Sequence, residues 1–286
     1  MRKLVGGTFL FIGSICNTQA APIIYAGNAT EPGGGILAAQ VTFDIVGDIL
    51  TVILENIANS ATDGHTGGTD SSGNTLTGVY WDFTGNPTLT PQSAIIASGS
   101  LIQGNKCDRG PCGPTTTNVS GEWGYQASTT QVPVGSGADR GIASSGYLST
   151  GLAGNVGNFG PGGTAGVQLD DPSSLDGINF GIISSLAGDP NYNPNGGLKN
   201  DPLVSRMARF TLSGALGLTN NDISHVTFQY GTDFSENRYP VSCVNCPLPE
   251  PATPALFALG GLVMWLGRWL RRHRAARPLN TNSNLH

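Results

Sequence analysis

Charge is scarce in this chain, and basic residues are scarcest in its middle. Asp, Glu, Lys and Arg make up 12% of the 286 residues, while hydrophobic residues make up 38%. Intrinsic disorder needs low hydrophobicity together with high net charge, so this composition favours a folded chain. Between Lys3 and Arg268, 7 basic residues face 18 acidic ones once Glu250 is set aside, a balance of −11. Because phosphate binding relies on clustered Lys and Arg, we predict no nucleic-acid partner.

The sequence motifs of common enzyme classes are missing as well. The chain contains no G-x-S-x-G, G-x-G-x-x-G, Walker loop or H-E-x-x-H, and its central part has only His65 and His225. A hydrolase whose triad is assembled from distant segments stays open as the least favoured alternative. We predict no catalytic activity, no catalytic residues and no cofactor.

Several aspartates lie in turn-like stretches, where they could supply oxygen ligands to calcium. None of these stretches has the one-three-five spacing of a dedicated calcium loop, and Asp beside Gly or Asn is ordinarily turn chemistry. We therefore predict no metal site, with calcium as the alternative. The residues concerned are Asp63, Asp70, Asp170, Asp171, Asp176 and Asp189.

Glycine is abundant, with 42 residues beside 18 prolines, and this favours turn-rich β structure over helices. Residues 41–46 and 49–56 alternate apolar and polar side chains on either side of Gly47-Asp48, which predicts a tight β-hairpin. Further strands are predicted at 78–83, 93–102, 121–127, 206–213 and 224–231. The predicted fold class is all-β, with a single antiparallel β-sandwich or jelly-roll-like domain.

The N-terminus has the three-part pattern of a secretory signal peptide. Arg2 and Lys3 precede an apolar stretch at 4–15, which is followed by Thr18-Gln19-Ala20. Small residues in this position are read by signal peptidase, so we expect a signal helix that is cleaved after Ala20. A buried strand or helix of the mature fold is the alternative, but it does not explain the basic flank.

The C-terminal region has the pattern of a membrane anchor. Residues 252–267 carry no charge, and a helix extended to Leu270 would be about 25 to 28 Å long, which is short but sufficient for a bilayer core. Trp265 and Trp269 suit the membrane interface. The basic cluster that follows predicts a stop-transfer signal, with the middle of the chain outside the cytoplasm; its residues are Arg268, Arg271, Arg272 and Arg274.

Pro249-Glu250-Pro251 stands immediately before the apolar segment. This triplet, followed by an apolar helix and an arginine cluster, resembles the PEP-CTERM sorting domain of exported bacterial proteins. The resemblance implies recognition by a membrane-embedded exosortase, cleavage near the triplet and delivery from an inner-membrane precursor to the cell surface or the extracellular matrix. The predicted organisation is 1–20 signal peptide, 21–246 β-rich domain and 247–286 sorting segment, with signal peptidase and exosortase as partners.

Four cysteines remain once Cys16 leaves with the signal peptide, and an even number outside the cytoplasm favours disulfides. Counting does not separate the three pairings, but the local pairs Cys107–Cys112 and Cys243–Cys246 are favoured. A zinc site is the alternative, although the spacing of the four cysteines is imperfect for it.

The aromatic residues Tyr80, Trp81, Trp123 and Tyr125 are candidates for stacking on sugars. Neighbours in a strand point to opposite faces, so Trp123 and Tyr125 can share a face while Tyr80 and Trp81 cannot. Core packing is the favoured fate of these rings. We therefore predict an exported surface or biofilm-matrix protein, with exopolysaccharide as a further partner, and a displayed carbohydrate-binding module as the alternative.

Overall fold

Strands account for almost all of the regular structure that the computed structural model describes, which confirms the all-β class. The described residues are 21–30, 36–58, 72–103, 118–120, 123–127, 137–144, 157–158, 180–184, 202–231, 236–246, 262–266, 268–269 and 271. In chain order their strands are β1 (Ile23–Thr30), β2 (Ile36–Val46), β3 (Ile49–Asn56), β4 (Leu76–Phe83), β5 (Thr90–Ile96), β6 (Ile102–Gln103), β7 (Gly124–Ala127), β8 (Arg140–Ala143), β9 (Gly157–Asn158), β10 (Ile182–Ile183), β11 (Leu203–Ser205), β12 (Met207–Ser213), β13 (Ile223–Tyr230), β14 (Arg238–Pro240) and β15 (Ser242–Cys243).

The first sheet is built around the predicted hairpin. Its strand order is β15-β1-β2-β3-β12-β5, and every neighbouring pair is antiparallel. Strands β2 and β3 pair up to Val46 and Ile49, so only Gly47 and Asp48 form the turn. Gly47 has a φ of +61°, a left-handed conformation that glycine adopts without steric cost.

The second sheet has the order β6-β11-β10-β4-β8-β7-β9, and β4 also pairs with β13, which pairs with β14. Its pairs are antiparallel except for β10 and β11, which run parallel and depart from the purely antiparallel prediction. The prediction of a single strand at 93–102 is wrong, because the structure has two strands there, β5 in the first sheet and β6 in the second. A turn separates them, with Gly99 at a φ of +89° and the Ser100 N–H donating to the Ala97 carbonyl.

The inward faces of the two sheets share one apolar core. The alternating side chains of the hairpin point into it as predicted, because all six apolar members are buried: Val41, Phe43, Ile45, Leu50, Val52 and Leu54. Rings from different sheets meet there. The centroids of Phe43 and Trp81 are 5.3 Å apart, and those of Trp123 and Phe210 are 4.8 Å apart.

Contacts between Cα atoms divide the chain into two units, Met1–Cys246 and Pro247–His286. In the second unit, residues 262–266, 268, 269 and 271 are helical and exposed. Among the described residues, no helix is both long and apolar enough to cross a membrane. Several predicted sites lie outside the described residues: Ala20, Cys107, Cys112, Pro249, Glu250, Pro251, Arg272, Arg274, His65 and the six aspartates considered for calcium.

Candidate functional site

Strands β1 and β15 bring together residues 21–26 and 242–246. These two stretches directly follow and directly precede the predicted signal peptide and sorting segment. Tyr25 pairs with Cys243 and Ala26 with Ser242, in antiparallel register. One residue further, the Val244 N–H donates to the carbonyl oxygen of Ile24 at 2.8 Å. Main-chain pairing therefore joins the two stretches along one edge of the first sheet.

Asn245 continues this pairing with its side chain. Its Oδ1 accepts a hydrogen bond from the Ile24 N–H at 2.6 Å, and its Nδ2 donates to the Pro22 carbonyl at 3.0 Å. A side-chain amide has one acceptor and one donor group, as a peptide group does, so Asn245 occupies the place of a further backbone residue. The main-chain polar groups at the start of β1 are thereby satisfied.

Asn220 binds the same stretch from the other side. Its Nδ2 donates to the Ala21 carbonyl at 2.7 Å, while its Oδ1 accepts from the Ile45 N–H at 3.0 Å. The side chain is almost fully buried. A short 3-10 helix, Asn220–Asp222, positions it, and the Asp222 carboxylate accepts hydrogen bonds from the N–H and the hydroxyl of Thr219.

A disulfide closes the segment on its C-terminal side. Cys243 and Cys246 are bonded, with their Cα atoms 5.6 Å apart, which is the local pairing that the spacing favours. We call residues 21–26, Asn220 and 242–246 the terminal clamp. Its hydrogen bonds join neutral amide groups, so the clamp fastens two parts of the chain and presents no charged group for acid or base chemistry.

The aromatic residues considered for sugar stacking lie inside the protein. Trp123 packs on Phe210, and its Nε1–H donates to the Phe180 carbonyl at 3.1 Å. Tyr125 lies 6.3 Å from Trp81, measured between ring centroids, and burial raises the pKa of its hydroxyl to about 12. Both rings are less than 5% exposed, so they form no platform open to solvent, and core packing is confirmed.

Tyr80 and Trp81 point to opposite faces of β4, as their adjacent positions predict. Trp81 contacts Phe43 in the shared core, whereas Tyr80 lies over the backbone of Gly141 on the other face. A Cβ atom at position 141 would overlap the Tyr80 ring. Tyr80 is also buried, so its ring is not an exposed stacking surface either.

One polar cluster lies at the end of β4. The Nδ1 atom of His225 is 2.8 Å from Oδ2 of Asp82, and Oδ1 of Asp82 accepts from the Asp139 N–H at 2.7 Å. The Asp139 carboxylate in turn binds the buried guanidinium of Arg140 at 2.6 and 2.8 Å. Burial lowers the pKa of Arg140, but Asp139 and Tyr125 together outweigh burial, and the net shift of the pKa is upward.

This cluster has two members of a catalytic triad, an aspartate and a histidine. Within the described part of the chain, no Ser, Thr or Cys hydrogen-bonds to the other ring nitrogen of His225. Among the same residues, no group of three or more His, Cys, Asp or Glu side chains is placed to bind a metal ion. The cluster links β4, β8 and β13 through hydrogen bonds and the Asp139–Arg140 ion pair.

Comparison of the chain with protein-family models, curated proteins and solved structures gave no match.

Sequence reasoning missed the residues that build the terminal clamp. Asn220 and Asn245 stand in turn-like stretches, where asparagine is common for local reasons. The residues that they bind at 21–24 are 199 to 223 positions away in the chain. Only the position of Asn245 between Cys243 and Cys246 hinted at a fixed geometry there.

Proposed function

We propose that the protein is an exported surface or extracellular-matrix component that is processed at both ends of a β-sandwich domain and has no catalytic activity of its own. Signal peptidase cuts after Ala20, and an exosortase acts at Pro249-Glu250-Pro251. The segment 252–270 anchors the precursor in the inner membrane as a helix, and the arginine cluster at 268–274 sets its orientation.

A sandwich or jelly-roll arrangement is supported by the core that the two sheets share. Rings of the first sheet, Phe43 and Phe210, pack against Trp81 of the second sheet and against Trp123, which directly precedes β7 of that sheet. Packing of two sheets through their inner faces is the arrangement of a β-sandwich.

The observation that carries the proposal is the terminal clamp. Pro22, the second residue after the predicted signal cleavage, and Asn245, the second before the predicted sorting segment, are hydrogen-bonded to each other at one sheet edge. Membrane segments that are joined to one folded domain by short connections leave it on the same side, and the clamp places both ends of the domain at one sheet edge. Removal of both segments leaves intact every strand that the structure describes, because these strands lie between Ile23 and Cys243.

Substitution of Glu250 by Ala tests the sorting step in cells that carry the exosortase. We expect Glu250→Ala to retain full-length protein in the membrane fraction, because the central residue of the triplet is lost. Thr253→Ala is the control, since it leaves the triplet intact and should be processed normally. The C-terminal mass of protein from the membrane, surface and medium fractions gives the measurement. Normal processing of Glu250→Ala would refute exosortase sorting.

A further inference from the structure

Three apolar side chains are exposed together at the turn of the central hairpin. Val46 and Ile49 flank the turn and are 47% and 37% exposed, and Leu216 is 79% exposed. We call Val46, Ile49 and Leu216 the apolar tip. Single exposed apolar residues are ordinary on protein surfaces, and these three stand out because they lie at one turn.

Asp48 holds the apolar tip in shape. Its Oδ1 accepts hydrogen bonds from the N–H groups of Gly214 and Leu216, both at 3.2 Å, and its main-chain oxygen accepts from the Ala215 N–H at 3.0 Å. Gly214 and Gly217 precede and follow Leu216 in this loop. Their φ values are +97° and +84°, a left-handed conformation that favours glycine. Hydrogen bonds to Asp48 therefore fix the loop that exposes Leu216.

The apolar tip is continuous with the terminal clamp. The loop that carries Leu216 runs on to Asn220, whose side chain bonds both Ile45, next to Val46, and Ala21. Val244, another exposed apolar residue at 67%, lies in the clamp itself. The chain thus leaves the domain toward both proposed membrane segments at the end of the first sheet that bears the tip.

We propose that the apolar tip rests in the lipid headgroup region of the membrane while the precursor is anchored. This inference rests on the proposed function, because the anchor brings this end of the domain to the bilayer. Apolar side chains at a membrane surface gain from burial in the boundary between headgroups and acyl chains. Asp48, which lies in the turn between Val46 and Ile49, is acidic, so zwitterionic phosphatidylcholine rather than anionic lipid is the expected surface.

Photo-crosslinking of the full chain in phosphatidylcholine vesicles tests this contact. A benzophenone amino acid replaces Leu216 in one sample and Ile57 in another. Ile57 is 36% exposed and follows β3 at its other end, about 26 Å from Ile49 at 3.3 Å per residue. We expect about ten-fold more lipid adduct from position 216 than from position 57, because an apolar side chain at the tip is buried in the headgroup region while one at position 57 stays in water.

Carbonate extraction of the same vesicles separates the two proposals. If the chain resists extraction and position 216 gives the lipid adduct, the inference is supported. The inference is overturned if the chain resists extraction but positions 216 and 57 give equal lipid adducts, or if position 216 gives a protein–protein adduct. The proposed membrane anchor would be unaffected by either result. Loss of the chain on extraction would overturn both.

Discussion

Asn220→Ala is the sharpest test of the terminal clamp, because one buried side chain joins the residue stretch before β1 to β2. The substitution removes the hydrogen bonds to the Ala21 carbonyl and from the Ile45 N–H. A typical hydrogen bond contributes about 1 kcal/mol net, and a buried donor left unsatisfied costs about 1 to 3 kcal/mol more. Since the Ile45 N–H loses its acceptor, we expect the free energy of unfolding to fall by about 2 to 4 kcal/mol.

Thermal unfolding of the full-length protein in detergent, followed by circular dichroism, measures this loss. For a domain of this size, each kcal/mol lowers Tm by about 2 to 4 °C, so the expected decrease is about 4 to 16 °C. Amide exchange at Ile45 should become faster at the same time. The control is Asn221→Ala, at the next position, where the side chain is exposed.

Two results would contradict the reasoning about Asn220. A Tm equal to that of the wild type would mean that water or a shifted backbone replaces both hydrogen bonds at no cost. An equal loss in Asn221→Ala would mean that the short helix, and not the buried amide, carries the effect.

Three further predictions concern other parts of the domain. Burial raises the pKa of Tyr125 to about 12 from the ordinary 10, so its contribution of about 3 kcal/mol to the free energy of unfolding is fully present below pH 10 and is lost between pH 10 and 12. In Tyr125→Phe, Tm should therefore fall less steeply as the pH rises. An identical fall would exclude this tyrosine as a cause. Gly141→Ala places a methyl group against the Tyr80 ring and should cost about 1 to 3 kcal/mol in urea unfolding, whereas an unchanged midpoint would show that the ring moves freely. Intact mass with and without reductant should show Cys243 and Cys246 oxidised, and free thiols in the exported protein would refute the bond. Replacement of both cysteines by Ser should lower the free energy of unfolding by about 2 kcal/mol and speed amide exchange at Val244.

The central hairpin could be predicted from its sequence because the information is local. Strict alternation over 41–46 and 49–56 assigns each side chain to a face, and Gly47-Asp48 supplies the turn. The same reasoning failed at 93–102, where apolar residues continue through a change of sheet. A two-residue periodicity does not indicate which sheet a strand joins, and Gly99 alone did not reveal the turn.

The candidate site could be predicted only in part. The cysteine spacing favoured the Cys243–Cys246 bond because four consecutive residues can close it without the rest of the fold. The alternation of Trp123 and Tyr125 placed both rings on one face, but whether that face is open depends on the opposite sheet. Phe210, which covers Trp123, comes from a strand far along the chain.

The sequence by itself determined the β class, the hairpin with its buried face, and the local disulfide, because each depends on residues within a few positions of one another. Only the tertiary structure decided that Trp123 and Tyr125 are buried. It also decided that Asn220 and Asn245 bond to residues at the start of the domain, and that Leu216 shares one end of the domain with the clamp. These contacts join residues up to 223 positions apart. Their formation depends on how the strands assemble, and local residue patterns do not encode it.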